Sequence, residues 1–139
     1  MKMCCKMLAM LMAILTVFLC MVMPINAAIA EPDVEPLWDN TATITLTLGF
    51  PDQGYADATI VGKSGVSKII IDIYVYRQSG SSWIYVAEEH KTINGMYGVI
   101  SCQFTPINGA YYKADYTFTV TKNNVDEVIN KTKYRTCEQ

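Results

Sequence analysis

The feature that most constrains the fold is an alternation of apolar and polar side chains with a period of two, which begins at Thr41. Successive side chains of a β-strand point to opposite faces, whereas a helix repeats every 3.6 residues. The clearest instance lies within Val66–Gln78, where one face is formed by Ile69, Ile71, Ile73 and Val75. The pattern therefore predicts strands that are buried on one face.

Turns containing Gly, Asn, Ser or Pro divide this region into seven predicted strands. They are Ala42–Leu48, Tyr55–Val61, Val66–Gln78, Trp83–Lys91, Gly98–Phe104, Tyr111–Thr121 and Glu127–Tyr134. We predict an all-β fold, a seven-stranded antiparallel β-sandwich of the immunoglobulin or fibronectin type III kind. The fibronectin kind is favoured because an antibody-type bridge between the second and sixth strands is lacking. An up-and-down barrel is the alternative.

The first thirty residues, Met1–Ala30, have the three parts of a secretory signal peptide. Lys2 and Lys6 give a positive start, an apolar run follows over residues 7–23, and Ala28-Ile29-Ala30 supplies small residues for cleavage. The segment predicts a signal-peptide helix and a secreted, extracellular protein. The alternative is a membrane anchor formed by residues 7–23, whose length is at the lower limit for spanning a bilayer.

Residues 31–40 are acidic, contain two prolines and predict a flexible linker, so the β-sandwich domain is expected over residues 41–139. Trp38 is expected to fold back onto the sandwich as a lid. From Glu31 onward the chain contains nine Lys and Arg and thirteen Asp and Glu, which gives a net charge of −4. Because no basic patch is present, nucleic acid is not an expected partner.

Two cysteines, Cys102 and Cys137, lie beyond the predicted signal peptide. An oxidising compartment outside the cell would permit a disulfide between them. The alternative is that Cys102 is a small core residue and Cys137 a thiol in a frayed tail. The two cysteines and the single His90 lack metal-ligand spacing, so neither a metal nor another cofactor is expected.

Tyr112 follows a corner at the start of the sixth predicted strand. A tyrosine in this place commonly hydrogen-bonds through its hydroxyl to the backbone a few residues upstream. We assign the role of a structural tyrosine corner to Tyr112 because it begins the inward-facing set of that strand.

Four aromatic residues predict a binding patch if the Ser79–Ser82 loop sets the third and fourth strands in the right register. They are Tyr74, Tyr76, Trp83 and Tyr85. Exposed aromatic rings can stack on sugars or anchor a protein partner. A slip of one residue would instead send Trp83 and Tyr85 to the inner face.

Catalytic chemistry is not indicated. His90 lacks an evident nucleophile partner, and no G-x-S-x-G motif occurs. Asp72 and Glu89 could face each other across the third and fourth strands as a carboxylate pair, but ordinary outward positions explain them as well. Acids near turns, such as Asp52 and Asp57, lack the regular spacing of a calcium loop.

Three stretches resemble a group of small exported, functionally uncharacterised β-sandwich proteins of Gram-positive bacteria. They are Val66-Ser67-Lys68-Ile69, the hairpin from Gln78 to Trp83, and Asn108–Lys113. The resemblance covers about Thr41–Tyr134 and implies a fold and an extracellular location, but no activity or site residues. Neither cysteine lies in these stretches.

The sequence therefore predicts a non-catalytic secreted or cell-surface module that binds an extracellular protein or glycan, or has a structural role. The alternative is a small secreted effector that acts on another protein. An enzyme is not expected, and contact with a membrane is expected only through an uncleaved signal segment.

Overall fold

Seven β-strands account for most of the residues that the computed structural model describes, which are 37–138. They are β1 (Thr41–Gly49), β2 (Gly54–Gly62), β3 (Val66–Ser79), β4 (Ser82–Asn94), β5 (Tyr97–Phe104), β6 (Tyr111–Lys122) and β7 (Val125–Thr136). The predicted signal peptide and the first six residues of the predicted linker lie outside the described range. Within that range, no helix is long and apolar enough to span a bilayer.

The strands form two antiparallel sheets, one of three strands in the order β1-β2-β5 and one of four in the order β4-β3-β6-β7. The predicted all-β, seven-stranded antiparallel β-sandwich is confirmed. The barrel alternative is wrong because the strands form two separate sheets. In constant-type immunoglobulin domains the fourth strand joins the sheet of the first, second and fifth strands. Here β4 pairs with β3 instead, which is the fibronectin-type variant.

The core lies between the sheets and is built from the inward positions of the alternating strands. Ile71 on β3 and Phe118 on β6 are register partners, and both are fully buried. The same face of these strands contributes Ile69, Ile73, Val75, Tyr112, Ala114, Tyr116 and Val120. Each such side chain removes apolar surface from water, at roughly 25 cal/mol per Å². Burial on alternate positions thus fixes which face of each strand is turned outward.

Large and small side chains are matched across the layers. The central strand of the three-stranded sheet carries Ala56 and Ala58 at inward positions, which leave space for the rings of the opposite sheet. Tyr116 reaches across from β6, and its hydroxyl donates a hydrogen bond to the Thr47 carbonyl on β1 at 3.0 Å. Burial also raises the pKa of Tyr116. The phenol thus links the two layers.

At each open side of the sandwich, a cationic side chain connects the two sheets. Lys91 on β4 donates from Nζ to the Val99 carbonyl of β5 at 2.7 Å, and Arg135 on β7 donates to the Leu48 carbonyl of β1 at 3.0 Å. An edge strand presents carbonyl groups that another chain could pair with. These two contacts occupy such groups and connect the sheets where strand pairing stops.

The segment before β1 is held against the sandwich. Glu127 on β7 accepts hydrogen bonds from the backbone N–H of Asp39 at 2.6 Å and of Asn40 at 3.1 Å, and from the Thr41 hydroxyl at 2.9 Å. Trp38 is half-buried against the core, with Lys131 Nζ 5.3 Å from its ring centroid. Trp38 therefore packs back onto the sandwich beside β7, and the contacts with the sandwich begin before Thr41.

Candidate functional site

The β3–β4 hairpin determines which aromatic side chains reach the surface. Ser79 pairs with Ser82 across a two-residue turn, whose first residue, Gly80, has a φ of 60°. Glycine at this place suits a type II′ turn, whose twist matches that of the strands. The turn sets Tyr76 opposite Tyr85 and Gln78 opposite Trp83. Trp83 and Tyr85 therefore lie on the outward face.

A β-bulge at Val86 shifts the inward–outward alternation of β4 by one residue. Val75 pairs with Ala87 and Tyr76 with Tyr85, so Val86 is one extra residue on β4. Outward positions are consequently odd-numbered before Val86 and even-numbered after it, as at Glu88. A bulge of this kind accommodates an unpaired residue within a strand pair. Because of the bulge, the odd-numbered Trp83 and Tyr85 point outward, whereas the odd-numbered Ala87 points toward the core.

Five rings cluster on this outward face, which we call the aromatic platform: Tyr76, Trp83, Tyr85, Tyr111 and Tyr134. Tyr76 and Tyr85 meet edge to face, with ring centroids 6.4 Å apart. Trp83 contacts two residues of other strands, Tyr111 at 5.9 Å and Tyr134 at 6.1 Å between centroids. The rings of Tyr111 and Tyr134 lie nearly parallel, 6.0 Å apart. The platform thus extends beyond the hairpin to β6 and β7.

Sequence reasoning missed Tyr111 and Tyr134 as members of this cluster. The alternation indicates that Tyr111 points outward, but only the sheet order places β6 beside β3 and β7 beside β6. Tyr74, which the sequence predicts in the patch, occupies the next outward position on β3, between Glu88 of β4 and Asp115 of β6. Tyr74 therefore borders the platform at the side where Glu88 and Asp115 lie.

One lysine lies at the centre of the platform. Lys113 pairs in register with Tyr76 on one side and with Tyr134 on the other. Its Nζ is 4.6 Å from the centroid of the Tyr76 ring and 5.4 Å from that of Trp83. A cation over an aromatic face is attracted by the ring quadrupole. Lys113 therefore ties rings of β3 and β4 to β6.

The charge of this lysine is balanced locally. Lys113 Nζ lies 2.7 Å from Asp115 Oδ2, and this hydrogen bond raises the pKa of Lys113 against the smaller effect of desolvation. Asp115 also accepts a hydrogen bond from the Thr132 hydroxyl at 2.8 Å. The surface consequently combines flat rings with fixed donors and acceptors.

The outermost rings of the platform are well exposed. Tyr85 and Tyr134 keep 53% and 55% of their surface accessible, and Tyr111 keeps 39%. Trp83 and Tyr76 are half-buried. A ligand that lies on the sheet would meet these three tyrosines first.

Tyr112 has the geometry of a tyrosine corner. Its side chain is 1% exposed, and its hydroxyl accepts a hydrogen bond from the backbone N–H of Ile107 at 2.9 Å, five residues upstream. The ring packs against Phe50 and Phe104, with centroids 5.2 and 5.3 Å away. The residue ties the β5–β6 connection to the core.

The two cysteines are present as separate, buried thiols rather than as a disulfide. Cys102 faces the core from β5, opposite Ala56 on β2. Cys137 follows β7, where its N–H donates to the Ala110 carbonyl and its carbonyl accepts from the Gly109 N–H. The expectation of a thiol in a frayed tail is therefore wrong, because backbone hydrogen bonds fix Cys137 beside the start of β6. Burial raises the pKa of Cys102 to about 11, with Glu89 and Glu88 adding to the effect.

The acidic residues considered for catalysis or metal binding lie at separate positions in the fold. Asp72 pairs with His90, and Asp72 Oδ1 lies 2.5 Å from His90 Nδ1 on the outward face. Glu89 is opposite Ile73 and so lies on the other face of β4, which means that the suggested Asp72–Glu89 pair does not form. Asp57 accepts a hydrogen bond from Ser101 at 2.6 Å. Residues 37–138 hold no metal-binding group of three or more His, Cys, Asp or Glu.

Two shallow cavities flank the β1–β2 loop. One of about 290 Å³ is lined by residues that include Tyr55 and Arg135, and one of about 340 Å³ by residues that include Tyr55 and Asp57. Arg135 and Asp57 already make the hydrogen bonds described above. Neither cavity contains a residue of the aromatic platform.

The fold and this surface define a fibronectin-type β-sandwich with an aromatic outer sheet face. No protein-family model matches the sequence, and no curated protein matches it. Among solved structures, the chain is similar to murine CRIg, with 11% identity, a TM-score of 0.37, and coverage of 70% of this chain and 98% of that one. It is also similar to a glycosyl hydrolase family 2 member from Bacteroides cellulosilyticus, with 11% identity and a TM-score of 0.35. That match covers 66% of this chain but only 14% of the hydrolase.

Proposed function

We propose that the protein is a non-catalytic, secreted or cell-surface β-sandwich module that binds a partner outside the cell through the aromatic platform. The observation that carries this proposal is the grouping of five aromatic rings from all four strands on one outward sheet face. Extracellular location is part of the proposal, and the signal-like segment Met1–Ala30 supports it.

The platform has the composition of a contact surface. Tyrosine and tryptophan bury a large area on binding and lose little conformational entropy, which is why they dominate binding hot spots. Cross-strand pairing alone explains an aromatic pair such as Tyr76 and Tyr85. It does not require Tyr134 and Tyr111 to continue the cluster to the opposite edge of the sheet.

The scaffold suits binding because it holds the rings in fixed positions. Val75, which precedes Tyr76 on β3, and Tyr112, which follows Tyr111 on β6, point inward and are part of the core. Lys113 further restrains Tyr76 and Trp83 through its contacts with both rings. A ligand would therefore meet a preorganised surface, which lowers the entropy lost on binding.

The test is retention of the full-length chain on cells and extracellular material of the source organism. A Tyr85→Ala, Tyr134→Ala variant removes the two most exposed rings of the platform. Tyr97→Ala is the matched control, because Tyr97 is 62% exposed but lies on β5 in the other sheet. We expect the double variant to lose retention and the control to keep it. Equal retention of both proteins would overturn the proposal.

A further inference from the structure

We propose that the platform binds an uncharged, linear polysaccharide that lies across the strands of the four-stranded sheet. This inference rests on the proposed function, because it names the ligand class of the same surface.

The first argument is the arrangement of the platform in the sheet. Tyr85, Tyr76, Lys113 and Tyr134 are successive register partners on β4, β3, β6 and β7. They form one row perpendicular to the strands. With neighbouring strands about 4.8 Å apart, the row spans roughly 14 Å between its outer backbones. An extended chain of several sugar rings fits such a row better than a compact small molecule.

The second argument is the chemistry between the rings. A sugar ring has an apolar C–H face and a rim of hydroxyl groups, so it needs flat apolar contacts beside hydrogen-bonding groups. The platform supplies both, because the Lys113 ammonium, the Asp115 carboxylate and the Thr132 hydroxyl lie next to the rings. The core of a protein–protein interface is instead depleted of Lys and Asp. The central ion pair therefore favours a glycan over a protein.

The third argument is charge. Lys113 is the cation within the row, and Asp115 balances it at 2.7 Å. Glu88, the register partner of Tyr74, adds a negative charge at the border of the platform. A polyanion would meet a surface without excess positive charge and would lose favourable hydration there. An uncharged polysaccharide meets no such penalty.

Affinity electrophoresis of the full-length chain tests the inference. Native gels contain hydroxyethylcellulose, xyloglucan, galactomannan or dextran, and matched gels contain the anionic derivatives carboxymethylcellulose and carboxymethyldextran. We expect at least one uncharged polysaccharide to retard the protein more than either anionic derivative does. The Tyr85→Ala, Tyr134→Ala variant should bind about tenfold more weakly. The Tyr85→Phe, Tyr134→Phe variant, which keeps both rings, and the Tyr97→Ala control should bind nearly as wild type.

Retardation by none of the uncharged polysaccharides overturns the inference, as does stronger retardation by the anionic derivatives. Equal retardation of the double alanine variant and wild type overturns it as well. The retention test separates this failure from failure of the proposed function. If retention on cells is lost in the double alanine variant while no uncharged polysaccharide binds, the surface is right and the ligand class is wrong. If retention is unchanged, the proposed function fails.

Discussion

Tyr76 and Tyr85 face each other across the β3–β4 hairpin, with ring planes at 78° and centroids 6.4 Å apart. This relationship depends on the two-residue turn at Gly80 and on the extra residue Val86. Together they turn Trp83 and Tyr85 outward while Ala87 still faces the core side of β4. The aromatic surface is therefore a consequence of strand register.

The Tyr112 hydroxyl gives the first prediction. Tyr112→Phe keeps the buried ring but leaves the Ile107 N–H without its acceptor. We expect a loss of about 1–3 kcal/mol in the free energy of unfolding, measured by urea denaturation, with an unchanged m-value. Tyr111→Phe is the control, because that side chain points outward. Equal midpoints for the two variants would show that the corner contributes nothing.

The carboxylate of Glu127 gives the second prediction. Its two oxygens accept three hydrogen bonds from Asp39, Asn40 and Thr41, and the amide of Glu127→Gln has only one acceptor oxygen. We expect a loss of about 1–2 kcal/mol and faster hydrogen exchange at Asn40 and Thr41. Glu88→Gln on the outer face of β4 is the control. Unchanged exchange at both residues in the Glu127 variant would contradict the assigned role.

The raised pKa of Cys102 gives the third prediction, a loss of stability in alkali. The thiol ionises near pH 9 in the unfolded chain and near pH 11 in the fold. The stabilisation by the neutral buried thiol is thus complete below about pH 9 and is lost as the pH rises towards 11.

From about pH 8 to 11, we expect the free energy of unfolding of the wild type to fall by about 2 kcal/mol more than that of Cys102→Ala. Both proteins retain Tyr116, so the difference reports Cys102 together with its electrostatic coupling to Tyr116. Urea denaturation at a series of pH values measures it. Parallel pH profiles would contradict the raised pKa.

The separate thiols give the fourth prediction. In the folded protein, iodoacetamide should modify neither Cys102 nor Cys137, since both are buried. After unfolding in urea without a reductant, both should be modified, as read by peptide mass spectrometry. If both resist modification until a reductant is added, they form a disulfide instead.

Much of the fold follows from local sequence, because inward positions alternate within each strand. Ile69 to Val75 on β3 and Tyr112 to Val120 on β6 are buried at every second residue, as the alternation predicts. The glycine- and asparagine-containing turns mark where these strands end. Local pattern thus predicts the strands and, where no bulge interrupts them, the inward faces that form the core.

Which residues form the aromatic platform depends on strand pairing, which the local sequence pattern does not contain. The outward positions of β4 change from odd to even numbers at Val86, and only pairing with β3 identifies Val86 as the extra residue. Tyr134 joins the platform because β7 lies beside β6 and β6 beside β3. The same register separates Asp72 from Glu89, which alternation alone could not decide. Long-range pairing therefore determines the site.

Covalent footprinting of tyrosines tests the central claim most directly, namely that the aromatic platform is the contact surface. The full-length chain is oxidised by hydroxyl radicals with and without cells and extracellular material of the source organism, and each tyrosine is read by peptide mass spectrometry. We predict protection of Tyr85 and Tyr134 in the presence of this material, with Tyr97 unchanged. Protection of Tyr97 with Tyr85 and Tyr134 still fully oxidised would contradict the account.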